Sequence, residues 1–223
     1  MAGRRNYDQV CPIACGLDVL GERWTLLILR ELVGGPRRYS DLRVQLPGIA
    51  TNLLAQRLTA LESAGIVART ELPAPIARTV YSLTDVAWRL VVPILGTIAR
   101  FGLETMHFGG GGFQSPLNGF LVGVLLGFDA ARADGVQATY RVQIDDRSFD
   151  FAVTDGRLAA ARGEPHVTLT ASTADLAAAR FGSTSGQRRA ALRRLRFAGK
   201  DHDVELMRSV LGLNGKSLQA VPQ

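Results

Sequence analysis

The chain has 223 residues, 47% of them hydrophobic, which is enough for one large or two small globular domains with a buried core. The net charge is +6 and evenly spread: 12 basic residues against 9 acidic ones precede Gly109, and 14 against 11 follow from there. This charge is compatible with nucleic acid but excludes a polybasic tail. Two cysteines are too few for a disulfide framework, and the most apolar run, Gly119 to Phe128, is too short to cross a bilayer. We therefore expect a cytoplasmic protein with no membrane partner.

The first predicted helix begins at Cys11-Pro12, because proline is tolerated in a first turn, and ends at Gly34-Gly35-Pro36. Its spacing predicts one buried stripe made of Leu17, Leu20, Trp24, Leu27 and Ile28. Arg37 and Arg38 follow the helix, where they are available to phosphates.

Residues 39–65 predict two short helices joined by a tight corner. Ser40 is suited to cap the first helix, and Pro47-Gly48 ends it. Leu54, Leu58 and Leu61 predict the buried stripe of the second helix. Asn52, Gln56 and Thr59 then face the other way, with amide and hydroxyl groups suited to reading base edges in a major groove. The alternative is a small helical core with an ordinary polar surface.

A hairpin is predicted directly after these helices. Residues 66–72 and 78–83 are rich in β-formers, and Pro73-Ala74-Pro75 forms a stiff tip between them. Arg69 and Arg78 flank the hairpin. Two helices followed by such a hairpin are the layout of a winged helix.

Short motifs continue in order through the first half of the chain: Cys11-Pro12, Gly21, Trp24-Thr25, Ile28-Leu29-Arg30-Glu31-Leu32, Tyr39-Ser40-Asp41-Leu42, Leu46-Pro47-Gly48-Ile49, Leu53-Leu54, Leu58, Leu61-Glu62, Gly65, Val67, Tyr81-Ser82-Leu83-Thr84 and Pro93. With these, residues 11–102 resemble the HxlR family of winged helix-turn-helix transcriptional regulators. The resemblance implies a homodimer on a roughly palindromic operator in double-stranded DNA, with residues 49–64 in the major groove and the wing near Arg78 along the backbone or minor groove. One departure is Asp85-Val86-Ala87-Trp88, where the family usually carries a Glu-x-Gly turn.

The candidate DNA-binding residues divide by chemistry. Base contacts are expected from Thr51, Asn52, Gln56 and Thr59, and phosphate contacts from Arg37, Arg38, Arg69 and Arg78, with Ser40 beside them. Several members of the family sense oxidants or electrophiles through a cysteine at the position of Cys11. A thiol near a helix N-terminus has its thiolate stabilised, so Cys11 is the candidate redox residue; the alternative is an inert cysteine.

A long helix is predicted from Asp85 to about Met106, with Thr84 as its cap and a kink at Pro93. One side carries Trp88, Val91, Leu95, Ile98 and Gly102, which predicts a dimer contact or a cover for the domain's own core. Four glycines at 109–112 then indicate a linker. We expect a DNA-binding and dimerisation domain over 1–108, a linker over 109–116 and a second domain over 117–223.

The second half predicts an α+β domain. An apolar helix over 117–132 precedes segments of alternating hydrophobicity, which predict an antiparallel sheet with turns at Asp145-Asp146-Arg147 and Asp155-Gly156. Helices are expected at 173–181 and near 187–192, a last strand at 195–199 and a closing helix at 203–213. The turn Asp155-Gly156-x-Leu158, the strand Thr168-Leu169-Thr170-Ala171 with Ser172-x-x-Asp175-Leu176, and the ending Phe197-x-Gly199 with Val204-x-Leu206-Met207 resemble the sterol carrier protein type 2-like fold.

That resemblance implies an apolar tunnel for a lipid-like ligand. Its candidate lining residues are Phe120, Val124, Phe128, Tyr140, Phe149, Phe151 and Phe181. The alternative is a filled core.

No catalytic or metal-binding pattern is present in the sequence, and we expect neither an enzyme nor a cofactor. The sequence therefore predicts a homodimeric DNA-binding regulator whose second domain binds an apolar effector. The alternatives are a lipid carrier whose winged domain only dimerises, and a thiol-based regulator acting through Cys11.

Overall fold

The structure, a computed structural model, describes residues 6–73, 78–105, 125, 127–182 and 184–214, and gives the backbone alone for 103–105 and 181. Internal contacts divide the chain into two units, Met1–Ala87 and Trp88–Gln223. The α+β class is confirmed, because a two-stranded hairpin follows the first helices and a five-stranded sheet forms the second half. No helix in these ranges is long and apolar enough to cross a membrane. The predicted linker, 109–116, lies outside the described residues, so the domain bounds stay predictions.

The first helical region is two helices, α1 (Pro12–Leu20) and α2 (Thr25–Val33), where one was expected. The break has a backbone cause: Trp24 has a φ of +78°, in the left-handed region that helices exclude. The expected stripe is accordingly wrong in part, since Leu17 and Leu27 are 43% and 41% exposed. The buried face of α2 instead comprises Thr25, Ile28, Leu29, Glu31, Leu32 and Val33.

The two helices of the predicted corner are α3 (Tyr39–Gln45) and α4 (Thr51–Ser63). The capping role expected of Ser40 is wrong, because α3 begins at Tyr39, two residues before the start that a cap at Ser40 implies. Arg38 is its N-cap, and the Arg38 backbone N–H donates to the Asp41 carboxylate at 3.0 Å. Gly48 takes up the turn with a φ of +90°. The Leu54, Leu58 and Leu61 stripe is confirmed, each side chain being at most 2% exposed.

The hairpin pairs β1 (Val67–Leu72) with β2 (Arg78–Leu83) in antiparallel register, and its tip at 74–77 lies outside the described residues. Arg37 adds a bridge on the other side of β2: its backbone N–H donates to the Tyr81 carbonyl at 2.9 Å and its carbonyl accepts from Tyr81 at 2.7 Å. The following helix is α5 (Asp85–Thr105). Its predicted cap is confirmed, because the Thr84 hydroxyl accepts from the Ala87 N–H at 3.2 Å.

The second sheet contains β3 (Gln137–Ile144), β4 (Arg147–Thr154), β5 (Arg157–Ala160), β6 (Val167–Ala171) and β7 (Arg196–Gly199), in the order β5-β4-β3-β6-β7. Most pairings are antiparallel as expected, but β3 and β6 are parallel, so the sheet is mixed. The register gives the reason. Ala160 at the end of β5 pairs with Phe151, which pairs with Tyr140, and Val167 at the start of β6 also pairs with Tyr140. The chain therefore leaves β5 and enters β6 at the same level of the sheet and continues in the same direction.

That crossing segment, residues 161–166, is fixed to β3 at Thr139. The Thr139 hydroxyl donates to the Arg162 carbonyl at 3.1 Å, and its backbone N–H donates to Nδ1 of His166 at 3.0 Å. The His166 N–H returns a bond to the Thr139 carbonyl at 2.8 Å. Adjacent residues of a strand point to opposite faces, so the contact between the Thr139 hydroxyl and the Arg162 carbonyl lies on the face opposite Tyr140.

Three helices lie after β6 in the described part of the chain: α6 (Thr173–Phe181), α7 (Ser185–Arg194) and α8 (Asp201–Val210). Ser172 caps α6 and Thr184 caps α7, each accepting from a backbone N–H three residues on. The helix expected over 117–132 falls mostly outside the described residues. Its predicted end is wrong, since residues 130–135 form turns before β3 begins.

Candidate nucleic-acid interface and candidate ligand site

The outward face of α4 brings three predicted base-contacting residues together. Asn52, Gln56 and Thr59 are exposed and lie on the side of the helix away from the buried leucines. Thr51 is also exposed, in the first turn of the helix, but it precedes Leu54 by three residues and so lies nearer the leucine side. Their side chains carry uncharged donors and acceptors, so the face can exchange hydrogen bonds with a polar edge without first breaking a charge pair.

Two contacts fix α4 to the rest of the first unit. The Tyr39 hydroxyl donates to the Thr51 carbonyl at 2.5 Å. Nη2 of Arg57 lies 2.8 Å from Oε2 of Glu22, in a pair whose side chains are 16% and 35% exposed. The sequence analysis missed both, because residues separated by such distances along the chain leave no periodic signal.

The predicted phosphate-contacting residues lie at the start of α3 and on the two hairpin strands. Arg38 and Arg78 are exposed, as is Ser40, while Arg37 is half-buried and donates to the Gly34 carbonyl at 3.3 Å. Arg69 is also exposed and lies 3.4 Å from the Glu71 carboxylate, a pair open enough to solvent to exchange for another anion. Arg69 and Arg78 are not neighbours across the hairpin, since they stand opposite Tyr81 and Leu72.

Comparison with known proteins agrees with this geometry. A family model described as HxlR-like helix-turn-helix matches residues 19–108. The uncharacterized HTH-type transcriptional regulator YvaP of Bacillus subtilis is 36% identical over 100 residues, which cover 44% of this chain and 92% of that protein. The chain belongs to the HxlR-like helix-turn-helix family. The uncharacterized HTH-type transcriptional regulator sll1512 of Synechocystis is 40% identical over 98 residues, covering 44% of this chain and 72% of that one.

A second match covers the other half of this family member. The model of the SCP-2 sterol transfer family matches residues 128–213. Among solved structures, the reduced form of the transcriptional regulator YodB from B. subtilis is 31% identical and has a TM-score of 0.37, covering 44% of this chain and 100% of that chain. The protein is thus a DNA-binding transcriptional regulator of the winged helix-turn-helix type that carries a sterol carrier-like domain.

The predicted redox residue stands at the start of α1. Cys11 is the N-cap residue of that helix and is half-buried, while Cys15 is exposed, and both are free thiols. The Cys15 Sγ lies 3.8 Å from the Gln9 carbonyl.

Three of the predicted ligand-lining residues lie together on the covered face of the second sheet. Tyr140, Phe149 and Phe151 are at most 1% exposed, and the rings of Tyr140 and Phe151 are 5.7 Å apart between centroids. Phe128 is half-buried in the segment before β3. Phe120 and Val124 lie outside the described residues, and for Phe181 only the backbone is described.

A buried arginine, which the sequence analysis did not single out, holds the end of this domain. Arg180 of α6 is 8% exposed and donates to the Leu211 carbonyl at 2.6 Å and the Gly212 carbonyl at 3.3 Å. Burial lowers the pKa of Arg180 to about 10, so it remains charged at neutral pH. A Cβ at Gly127 would lie 2.2 Å from the Leu211 carbonyl oxygen, so only glycine fits there.

Proposed function

We propose that this protein is a cytoplasmic transcriptional regulator that binds a palindromic operator as a homodimer and responds to an apolar effector in its second domain. The observation that supports DNA binding most directly is the exposed polar face of α4 opposite its buried leucines. A helix held on one side by packing and by the Arg57–Glu22 pair presents the other side in a fixed orientation.

In this proposal the residues of α4 read the operator. Thr51, Asn52, Gln56 and Thr59 contact base edges in the major groove, where amide and hydroxyl groups discriminate between base pairs. The phosphate contacts come from Arg37, Arg38, Arg69 and Arg78, with Ser40 at the start of α3. These residues position the protein without reading sequence, and each of the arginines contributes to the salt dependence of binding.

Exposed apolar side chains support the homodimer. In α1, Ile13 is 74% exposed and Leu17 is 43% exposed. In α5, Leu90, Ile94 and Ile98 are 54%, 39% and 44% exposed, and their spacing of four residues forms one stripe. The buried side of α5 carries Trp88, Val91 and Leu95, so the exposed stripe is left to a second copy. Of these three residues only Ile98 was named from the sequence, although the four-residue spacing of Leu90, Ile94 and Ile98 indicates a common helix face.

The effector site is proposed inside the sterol carrier-like domain. The match to the SCP-2 sterol transfer family supports an apolar ligand, and the buried aromatic residues of β3 and β4 supply an apolar surface. The proposed lining remains Phe120, Val124, Phe128, Tyr140, Phe149, Phe151 and Phe181. Binding there alters operator affinity by changing the spacing of the two α4 helices in the dimer, which has to match half-sites about one turn apart.

The DNA-binding proposal is tested by fluorescence anisotropy of the full-length protein on labelled duplex from the region upstream of its own gene. Asn52→Ala and Gln56→Ala each remove base contacts worth about 1–3 kcal/mol, so we expect affinity for the operator to fall about five- to 150-fold. Ser63→Ala, at the other end of α4, is the matched control. Equal affinity of all three variants and the wild type, on any duplex, would contradict the proposal and favour a lipid carrier whose winged domain only dimerises.

The proposed response to an apolar effector is tested by measuring operator affinity with and without lipids extracted from the cell. A change supports the effector, and an unchanged affinity removes it. Cys11→Ser separates the thiol alternative: oxidant affects DNA binding by the variant and by the wild type alike if Cys11 is not the sensor, and releases only the wild type if it is.

A further inference from the structure

The hydroxyl group of Tyr140 is buried and has no hydrogen-bond partner among the residues that the structure describes. Tyr140 lies on β3, the middle strand of the second sheet, and is fully buried. Among the described residues no donor or acceptor reaches its Oη atom. A buried hydroxyl that pairs with nothing lowers stability by about 1–3 kcal/mol, whereas phenylalanine would fill the same space without that cost. A tyrosine here therefore needs an explanation beyond packing.

The surroundings of this hydroxyl define what it is able to bind. Its neighbours across the sheet are Phe151 on β4 and Val167 on β6, whose hydrocarbon side chains can neither donate a hydrogen bond to the hydroxyl nor accept one from it. Burial, and secondarily the charge of Asp203 on α8, raises the pKa of Tyr140 to about 12. The phenol is therefore protonated at neutral pH and acts as a donor. The same negative charge disfavours a carboxylate beside it.

We infer that Tyr140 is the polar anchor of the effector site, donating a hydrogen bond to a neutral oxygen of an otherwise apolar ligand. This rests on the proposed effector function and deepens it. The ligand class is an apolar molecule with a ketone or ester carbonyl or a hydroxyl group, rather than a plain hydrocarbon or a fatty-acid anion. Apolar sites fix the orientation of a ligand through a few such polar groups.

Three naphthalene probes of similar shape test the inference by fluorescence titration of the full-length protein. 2-Acetylnaphthalene carries a neutral carbonyl, 2-ethylnaphthalene carries no acceptor and 2-naphthoate carries an anion. We expect the acetyl probe to bind most tightly to the wild type. Tyr140→Phe weakens its binding about five- to tenfold, in line with one hydrogen bond, and leaves the ethyl probe unchanged or tighter. Tyr81→Phe, in the other unit, is the matched control and changes neither.

The outcomes distinguish the role of the Tyr140 hydroxyl from the existence of an effector site. If the probes bind but Tyr140→Phe weakens all of them equally, or none of them, the hydroxyl is not the anchor and the effector proposal survives. If no probe binds the wild type, the effector proposal fails and takes the inference with it. The melting temperature gives an independent readout: Tyr140→Phe should melt at least as high as the wild type, and a clearly lower value would reveal a partner in the free protein.

Discussion

The two halves of the molecule differ in the burial of the candidate functional residues that the structure describes, which are mostly exposed in the first half and mostly buried in the second. In α4 the residues proposed to contact DNA are exposed, and the buried leucines behind them only hold the helix. In the second sheet the proposed contact residues, such as Phe149 and Phe151, are themselves the buried face. A DNA duplex can be contacted only by side chains on the protein surface, whereas an apolar ligand binds by being buried away from water. Function and stability are therefore separable in the first half and shared in the second.

The largest expected effect is a loss of stability in the second sheet, where the same residues are proposed to serve both folding and ligand binding. Phe151→Ala removes a ring that is 1% exposed and in contact with Tyr140, so we expect it to lower the free energy of unfolding by about 3–5 kcal/mol. Ser148→Ala, an exposed position on the same strand, should stay within about 0.5 kcal/mol. Urea unfolding of the full chain measures both. A small loss for Phe151→Ala would indicate that the ring borders open space rather than a packed core.

The next largest effect tests whether stability and DNA binding depend on different residues of α4. Leu58→Ala should lower the free energy of unfolding by about 2–4 kcal/mol, because its side chain is 2% exposed. Gln56→Ala, two residues away and exposed, should change stability by less than about 0.5 kcal/mol while reducing operator affinity. Both are followed by urea unfolding and by anisotropy. The comparison breaks if Gln56→Ala destabilises the protein as much as Leu58→Ala does.

A smaller effect concerns the helix caps of the second half. Thr184→Ala removes the hydroxyl that accepts from the Gln187 N–H at 3.1 Å, so we expect a loss of about 1 kcal/mol. Thr154→Ala, at an exposed strand end, is the control and should lie near zero. Thermal unfolding distinguishes the two, and equal melting temperatures would argue against a capping contribution.

The smallest effect is a pH dependence in the same region. The hydrogen bond from Arg194, at 2.6 Å, and then the one from Ser172, at 2.8 Å, lower the pKa of Asp175. A carboxylate with a lowered folded pKa contributes stability above its unfolded pKa of about 4, and loses it as the pH falls through the folded value. The stability difference between the wild type and Asp175→Asn should therefore be full at pH 7 and shrink toward pH 3. A difference that does not vary with pH would contradict this assignment.

Local pattern was sufficient wherever one element and its turn decide the structure. The leucine stripe of α4, the hairpin strands, the Thr84 cap and α6 at 173–181 all follow from spacing, capping chemistry and β-propensity within a few residues. The outward position of Asn52, Gln56 and Thr59 was predicted for the same reason, because a buried stripe fixes the opposite face. Their role in reading DNA stays a prediction.

Tertiary contacts decided the rest. The left-handed backbone of Trp24 divides the first helical region, the parallel pairing of β3 with β6 depends on a segment fixed at Thr139, and Arg57 finds Glu22 across 35 residues. The sequence by itself determined the extent of α4, the two hairpin strands and α6, and which face of α4 is polar, since these follow from periodicity and local propensity. Only the tertiary structure decided which apolar stripe of α5 stays exposed and that the Tyr140 hydroxyl has no partner in the described part of the chain, because burial and hydrogen bonding depend on residues far apart in the sequence.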